Sequence, residues 1–230
     1  MADSADRHYL YQESVQDTEA EIDFVEETWQ ALRNRPAELL REDFCGTANT
    51  ACEWVRRDPG HYAIGIDLDS EVLEWGRLNN LSQLSSEEQT RIELLEEDVL
   101  DVAPELADIV MAMNFSYYLF LTRRRMLAYF ESVHAGLADD GIFFLDAYGG
   151  YDSHRNIEEE RECDDFTYLW AQAVFNPIES TMTCHFHFEF PDTSLMDRAV
   201  SYSWRLWTLP EIREILFEAV FSVVDVFWEG

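Results

Sequence analysis

Apolar positions recur along the chain with two different periods, and the texture changes near residue 150. Over residues 20–34, Ile22, Phe24, Val25, Trp29 and Leu32 fall roughly on one helical face, which predicts an amphipathic helix closed by Pro36. Short apolar runs predict strands at 37–44 and 61–67, with helices at 48–57 and 70–80. Beyond the polar LSSEEQ linker, strands are expected at 92–96 and 109–113 and a helix near 123–137. A DDG turn at 139–141 then leads into a very apolar strand at 142–145. Strand and helix alternating at this spacing predict an α/β fold, a parallel sheet with helices on both faces. Such sheets bind ligands beyond the carboxyl ends of their strands, where the strand order switches.

From about Phe166 to Trp207 the period becomes two. Phe166, Tyr168 and Trp170 alternate with small or polar residues, as do Met182, Cys184, Phe186, Phe188 and Phe190, and then Val200, Tyr202, Trp204 and Leu206. Asn176-Pro177 and Pro191-Asp192 break the runs, so a three-stranded antiparallel meander is expected after the fifth parallel strand. Pro210-Glu211 starts a last helix to about Ala219, and a sixth strand is expected at 222–228. The expected organisation is a core of residues 1–148 and 208–230, its first 36 residues a helical segment, with 149–207 inserted as an antiparallel unit.

With 230 residues, 47% hydrophobic and 14% aromatic, the chain can bury a real core, which argues against a disordered chain. No apolar run approaches the ~20 residues that span a bilayer. The opening MADSADRHYLYQES lacks the basic and apolar regions of a secretory signal. Cys45, Cys52, Cys163 and Cys184 form no CxxC pair, which argues against a disulfide framework or zinc knuckle and for a reducing, cytoplasmic setting. Acids number 47 against 16 basic residues, every one an arginine, for a net charge of −31. Such a chain repels phosphate backbones and anionic bilayers, so neither nucleic acid nor a membrane is expected as partner. The acidity suits a surface bathed in high salt, or else it attracts a cationic substrate; the acids are spread along the whole chain, which favours the former.

Acids also fall at or just past the ends of successive predicted strands. Glu42 precedes the turn Phe44-Cys45-Gly46-Thr47-Ala48, where small residues let backbone N–H groups approach an anionic ligand group. A dinucleotide site needs three spaced glycines, and only Gly46 is present, so hydride transfer is disfavoured. Asp67 lies 21 residues beyond Gly46, close to the ~20-residue interval of an acid that accepts from ribose hydroxyls. Asp69 suits a helix N-cap instead. Asp98 and Val99 follow the third strand. Taken singly, each has a plain reading as a strand–helix turn or a solvated acid; their order and spacing carry the weight.

In that order the chain resembles the class I S-adenosylmethionine-dependent methyltransferases over about residues 37–228. Cys45-Gly46-Thr47-Ala48 is similar to the CGTG core of the family's first motif, with Phe44 in place of the first glycine and Ala48 in place of the last. The resemblance implies a Rossmann-like sheet, an antiparallel lid of the kind found in small-molecule members, and S-adenosyl-L-methionine as cofactor. It assigns Glu42 to the methionine amino group, the turn Phe44, Cys45, Gly46, Thr47 and Ala48 to close backbone approach, and Asp67 to the ribose. Leu68 is expected to pack on adenine, Asp98 to accept from its exocyclic amine, and the Val99 N–H to meet a ring nitrogen. Asn114-Phe115-Ser116-Tyr117-Tyr118 falls beside the methyl sulfonium and is similar, without its prolines, to the Asn/Asp-Pro-Pro-Tyr motif of amino-methyltransferases. An aromatic loop under the lid is the other reading of that segment. Tyr11 is expected to fold over the cofactor, as similar segments do in the family. The family's seventh strand is missing, so the natural protein is expected to continue past Gly230 unless it has been shortened.

The function implied is methyl transfer by in-line displacement to a small-molecule acceptor, with an amine suggested. Tyr117, Asp146 and His185 are the candidate bases. His185, His187 and Glu189 share one strand face, either as a base or metal cluster or as an exposed polar face, and no metal is expected. Arg123-Arg124-Arg125 reads as a solvated helix start or an anion anchor. The alternative function is a non-catalytic methyltransferase-like binding or dimerisation module, and a homodimer is left open.

Overall fold

The alternating half of the chain pairs in parallel. Strands β1 (Leu39–Asp43), β2 (Tyr62–Asp67), β3 (Ile92–Glu96), β4 (Ala107–Ala112) and β5 (Leu137–Leu145) form one sheet in the order β3-β2-β1-β4-β5. The structure is a computed structural model that describes residues 1–102 and 106–228, so the last two residues of the expected core lie outside the described residues. Helices α1 (Arg7–Val15) and α2 (Thr18–Leu32) precede the sheet. Helices α3 (Asn49–Arg57), α4 (Ser70–Asn79), the single turn α5 (Ser86–Gln89) and α6 (Arg123–Ala135) lie between its strands, and α7 (Leu209–Glu218) follows.

Burial on both faces explains why β4 is apolar without a break from Ile109 to Ala112. Val110 and Ala112 join Tyr129 and Phe130 of α6 and Ile212 and Ile215 of α7 in one core. Ile109 and Met111 point the other way, into a core with Ile22, Val25 and Trp29 of α2 and Trp54 and Val55 of α3. Side-chain caps stop the helices from sliding: Asp69 accepts from Glu71 N–H and Val72 N–H at the start of α4, and Thr208 with Glu211 forms a capping box on α7.

The second sheet has four antiparallel strands, not the three expected: β6 (Ile157–Glu162), β7 (Thr167–Asn176), β8 (Thr181–Glu189) and β9 (Leu195–Arg205). β6 escaped the periodicity because it reads Ile-Glu-Glu-Glu-Arg-Glu. As an edge strand it needs no buried face, and its charges guard the open edge. Along β8, Met182, Cys184, Phe186 and Phe188 are buried while the residues between them turn to the other face. Leu10 of α1 packs against Phe166, Phe188 and Phe190, tying the N-terminal helix to this sheet.

Two other expectations need correction. β5 begins at Leu137, so the DDG lies inside the strand, as an irregularity in the ladder between the Ala107–Leu137 and Ile109–Ile142 pairs. The strand expected at 222–228 does not form; that segment joins neither sheet. Val224, with Phe221 just before the segment, packs against the α6–α7 core and Phe227 meets Phe24 edge-on at 5.0 Å, while Val223, Val226 and Trp228 stay exposed.

Candidate functional site

The strand order reverses between β1 and β4, and a cavity of about 630 Å³ opens beyond their carboxyl ends. Its floor is the turn from β1 to α3. Phe44, Gly46 and Ala48 all have positive φ there, at 57°, 53° and 56°. The chain thus takes the left-handed conformation at both positions where the resemblance expects glycine and the sequence has a side chain. Gly76 of α4 backs this turn so closely that a Cβ on it would sit 2.5 Å from the Thr47 carbonyl oxygen. A Cβ on Gly46 would meet nothing within 4 Å, because it would project into open space.

The acids at or just past the carboxyl ends of β1, β2 and β3 line this one cavity: Glu42, Asp67 and Asp98. Glu42 is buried, and its Oε2 accepts the Ala51 N–H at 2.9 Å. Burial above all, with Glu21 nearby, pushes its carboxyl up to about 8. Asp67 is oriented by two backbone donors, Gly46 N–H at 2.8 Å and Asp69 N–H at 2.9 Å, which leave lone pairs for other donors. Asp98 accepts the Leu100 N–H at 3.0 Å. Asp43, between Glu42 and Phe44, is used structurally: it pairs with buried Arg41 at 2.6 Å and accepts from Tyr129.

Tyr11, Phe44, Cys45, Gly46, Thr47, Leu68, Val99 and Asn114 line the cavity too. Ala48 does not; it is fully buried behind the turn as the residue before α3. Tyr11 stacks on Phe186 at 5.6 Å, so α1 and the antiparallel sheet form one wall together. The three candidate bases are absent from the lining. Tyr117 is buried and donates its hydroxyl to the Asp146 carbonyl at 2.6 Å, and burial raises its phenol well above 10. Asp146 accepts the Phe115 N–H at 2.6 Å and so braces two successive left-handed residues, Asn114 and Phe115; burial pushes its carboxyl up to about 6. His185 sits on the far face of β8, with Nδ1 2.8 Å from Ser201 Oγ.

The residues fit S-adenosylmethionine on three independent counts. Gly46 leaves a cradle that a Cβ would fill. Leu68 is 67% exposed although it lines the cavity, an apolar side chain without a cover. Gln16 Oε1 on the cavity wall and Glu21 Oε2 on α2 are buried acceptors without a donor among the described residues, which suits a donor-rich ammonium group nearby. Burial first, then the Asp146 charge, raises Glu21 to about 7. The sequence singles out neither: Gln16 looks like any polar residue at a helix end and Glu21 like any acid of α2, and only Gln16's place on the cavity lining and Glu21's position by Thr50 and Glu42 set them apart.

The sequence matches no protein-family model, and no curated protein matches it. Solved structures do share its fold. An S-adenosylmethionine-dependent methyltransferase from Clostridium acetobutylicum superposes with a TM-score of 0.73 at 18% identity, over 92% of this chain and 85% of that one. The S-adenosylmethionine-bound amino pentose methyltransferase of Micromonospora echinaspora, involved in calicheamicin biosynthesis, gives 0.68 at 16% over 92% and 86%. The sugar N-methyltransferase of Streptoalloteichus gives 0.65 at 15% over 94% and 84%. The parallel sheet with its appended antiparallel sheet is thus a class I methyltransferase fold.

Proposed function

We propose that this protein is an enzyme that transfers a methyl group from S-adenosyl-L-methionine to a small-molecule acceptor, an amine, with residues 149–207 as the substrate lid. The observation that carries the reading is the convergence of Glu42, Asp67 and Asp98 on one cavity, beside a glycine with room for a ligand. When bound, the cofactor supplies a sulfonium methyl that needs no further activation by the protein.

The chain's work is then to hold, orient and keep dry. Glu42, with Gln16 and Glu21 nearby, accepts from the ammonium; Asp67 accepts from the ribose hydroxyls, Asp98 from the base amine, and Leu68 covers the ring. Asn114 presents its polar atoms at the turn that Asp146 braces. With a carboxyl near 6, Asp146 is ionised at neutral pH and draws an ammonium towards the turn; the amine would accept the methyl group only after releasing a proton to solvent, which frees its lone pair. Tyr117 keeps its proton and acts as a strut for that turn, and His185 plays no part in the transfer. Tyr11 and the lid exclude water.

S-adenosylhomocysteine at a hundredfold excess over its Kd should stabilise the fold by about 2.7 kcal/mol, a rise in Tm of roughly 5–10 °C for a chain of this size. Asp67→Ala should abolish most of that rise. Methyl incorporation into pooled small amines then separates an enzyme from a binding module. A parent protein that gains nothing from the ligand, and that behaves like Asp67→Ala, would reject the proposal.

A further inference from the structure

Four of the seven tryptophans donate their indole N–H to an oxygen: Trp29 to Arg35 O (2.8 Å), Trp54 to Tyr62 O (3.0 Å), Trp75 to Asp6 Oδ2 (2.6 Å) and Trp207 to Phe120 O (3.2 Å). Trp204 differs. It is only 3% exposed, and its Nε1 has no partner among the described residues. Its ring lines the cavity from β9, stacked on Tyr202 at 4.5 Å and 9°, and edge-on to Phe115 at 4.9 Å. Phe115 directly follows Asn114, so this indole stands next to the turn where the acceptor is expected.

We propose that the Trp204 indole N–H is a specificity-determining donor that hydrogen-bonds a neutral oxygen of the methyl acceptor. This rests on the methyltransferase reading above. A donor stripped of water and given no acceptor costs the protein stability; Nε1 is closed off from the cavity, so a ligand oxygen restores the bond only as the ring turns towards it. A site of this kind discriminates strongly against analogues that lack the oxygen. Charge narrows the oxygen's chemistry. Asp67, Asp69, Glu97 and Asp98 outnumber Arg7 and Arg125 along the same lining, so a carboxylate is disfavoured and a hydroxyl or carbonyl remains. The competing use of the N–H is donation into the face of Phe115, a weaker contact that would make Trp204 purely structural.

Protein loaded with S-adenosylhomocysteine and isotopically labelled at tryptophan is titrated with aminocyclohexanol isomers and, separately, with cyclohexylamine. The Trp204 indole resonance, identified by its loss in Trp204→Phe, should shift with an aminocyclohexanol and not with cyclohexylamine. In the parent, the best isomer should bind about ten- to hundredfold tighter than cyclohexylamine, and in Trp204→Phe that ratio should fall towards one. A ligand-induced rise in Tm reports that the variant is folded. An indole resonance unmoved by every isomer, no preference in the parent, or a preference that survives in Trp204→Phe each overturns the assignment. Failure of the parent to bind S-adenosylhomocysteine removes the methyltransferase reading itself, and this inference with it.

Discussion

Phe44 and Ala48 stand in the same left-handed conformation, yet replacing each by glycine should have opposite effects. A side chain in that region costs roughly 1–2 kcal/mol, and glycine returns part of the gain as chain entropy. Ala48→Gly removes one methyl group, so relief wins and the unfolding free energy from urea titration should rise by up to about 1 kcal/mol. Phe44 packs against Phe120 and Tyr129, and losing a buried aromatic costs about 1.5–3 kcal/mol. Phe44→Gly should therefore destabilise. Glu42 gives a second prediction, in pH. Its carboxyl is raised in the folded protein, so its contribution to ligand-free stability is full below its ordinary value near 4.5 and is lost as pH rises through about 8. An ammonium binds the ionised form. Calorimetric affinity for S-adenosylhomocysteine should climb between pH 6 and 8, by at most tenfold per unit, and Glu42→Gln should bind more weakly with a flattened profile.

At the scale of elements, the position of α4 sets the shape of the binding turn. Gly76 lets the helix touch the Thr47 carbonyl, and a Cβ there would lie 2.5 Å from that oxygen, which is backbone and cannot swing aside. Gly76→Ala should cost roughly 1–3 kcal/mol in urea unfolding and weaken S-adenosylhomocysteine binding, because α4 and the turn must part. Equal affinity in the variant would show that the turn does not depend on α4. Elements with a strong local pattern were legible in the chain. Ile92–Glu96 forms the strand its residues predict, and of the expected α2 stripe Ile22, Val25 and Trp29 are buried while Phe24 and Leu32 stay exposed. β6 was not legible, because an edge strand carries no apolar alternation. The apolar segment at 222–228 misled for the converse reason: it has strand-like residues, but a strand exists only by pairing.

Over the whole molecule, a net charge of −31 sets acid against acid across every surface. The Debye length falls from about 10 Å at 0.1 M salt to about 3 Å at 1 M, so self-repulsion is largely screened over that range. The urea midpoint should rise between 0.1 and 1 M KCl; a flat or falling midpoint would show that the acids are already balanced locally by their arginine partners. The sequence by itself determined the parallel core, the antiparallel sheet after it and the acids that follow the first three strands. Those features are written in the period and spacing of near neighbours, which local backbone geometry reads directly. Only the tertiary structure decided that Glu21 stands beside Glu42, that Gln16 reaches the cavity wall, that His185 faces away, and that the Trp204 indole has no acceptor among the described residues. These depend on which distant segments meet, and no local pattern in the chain records that.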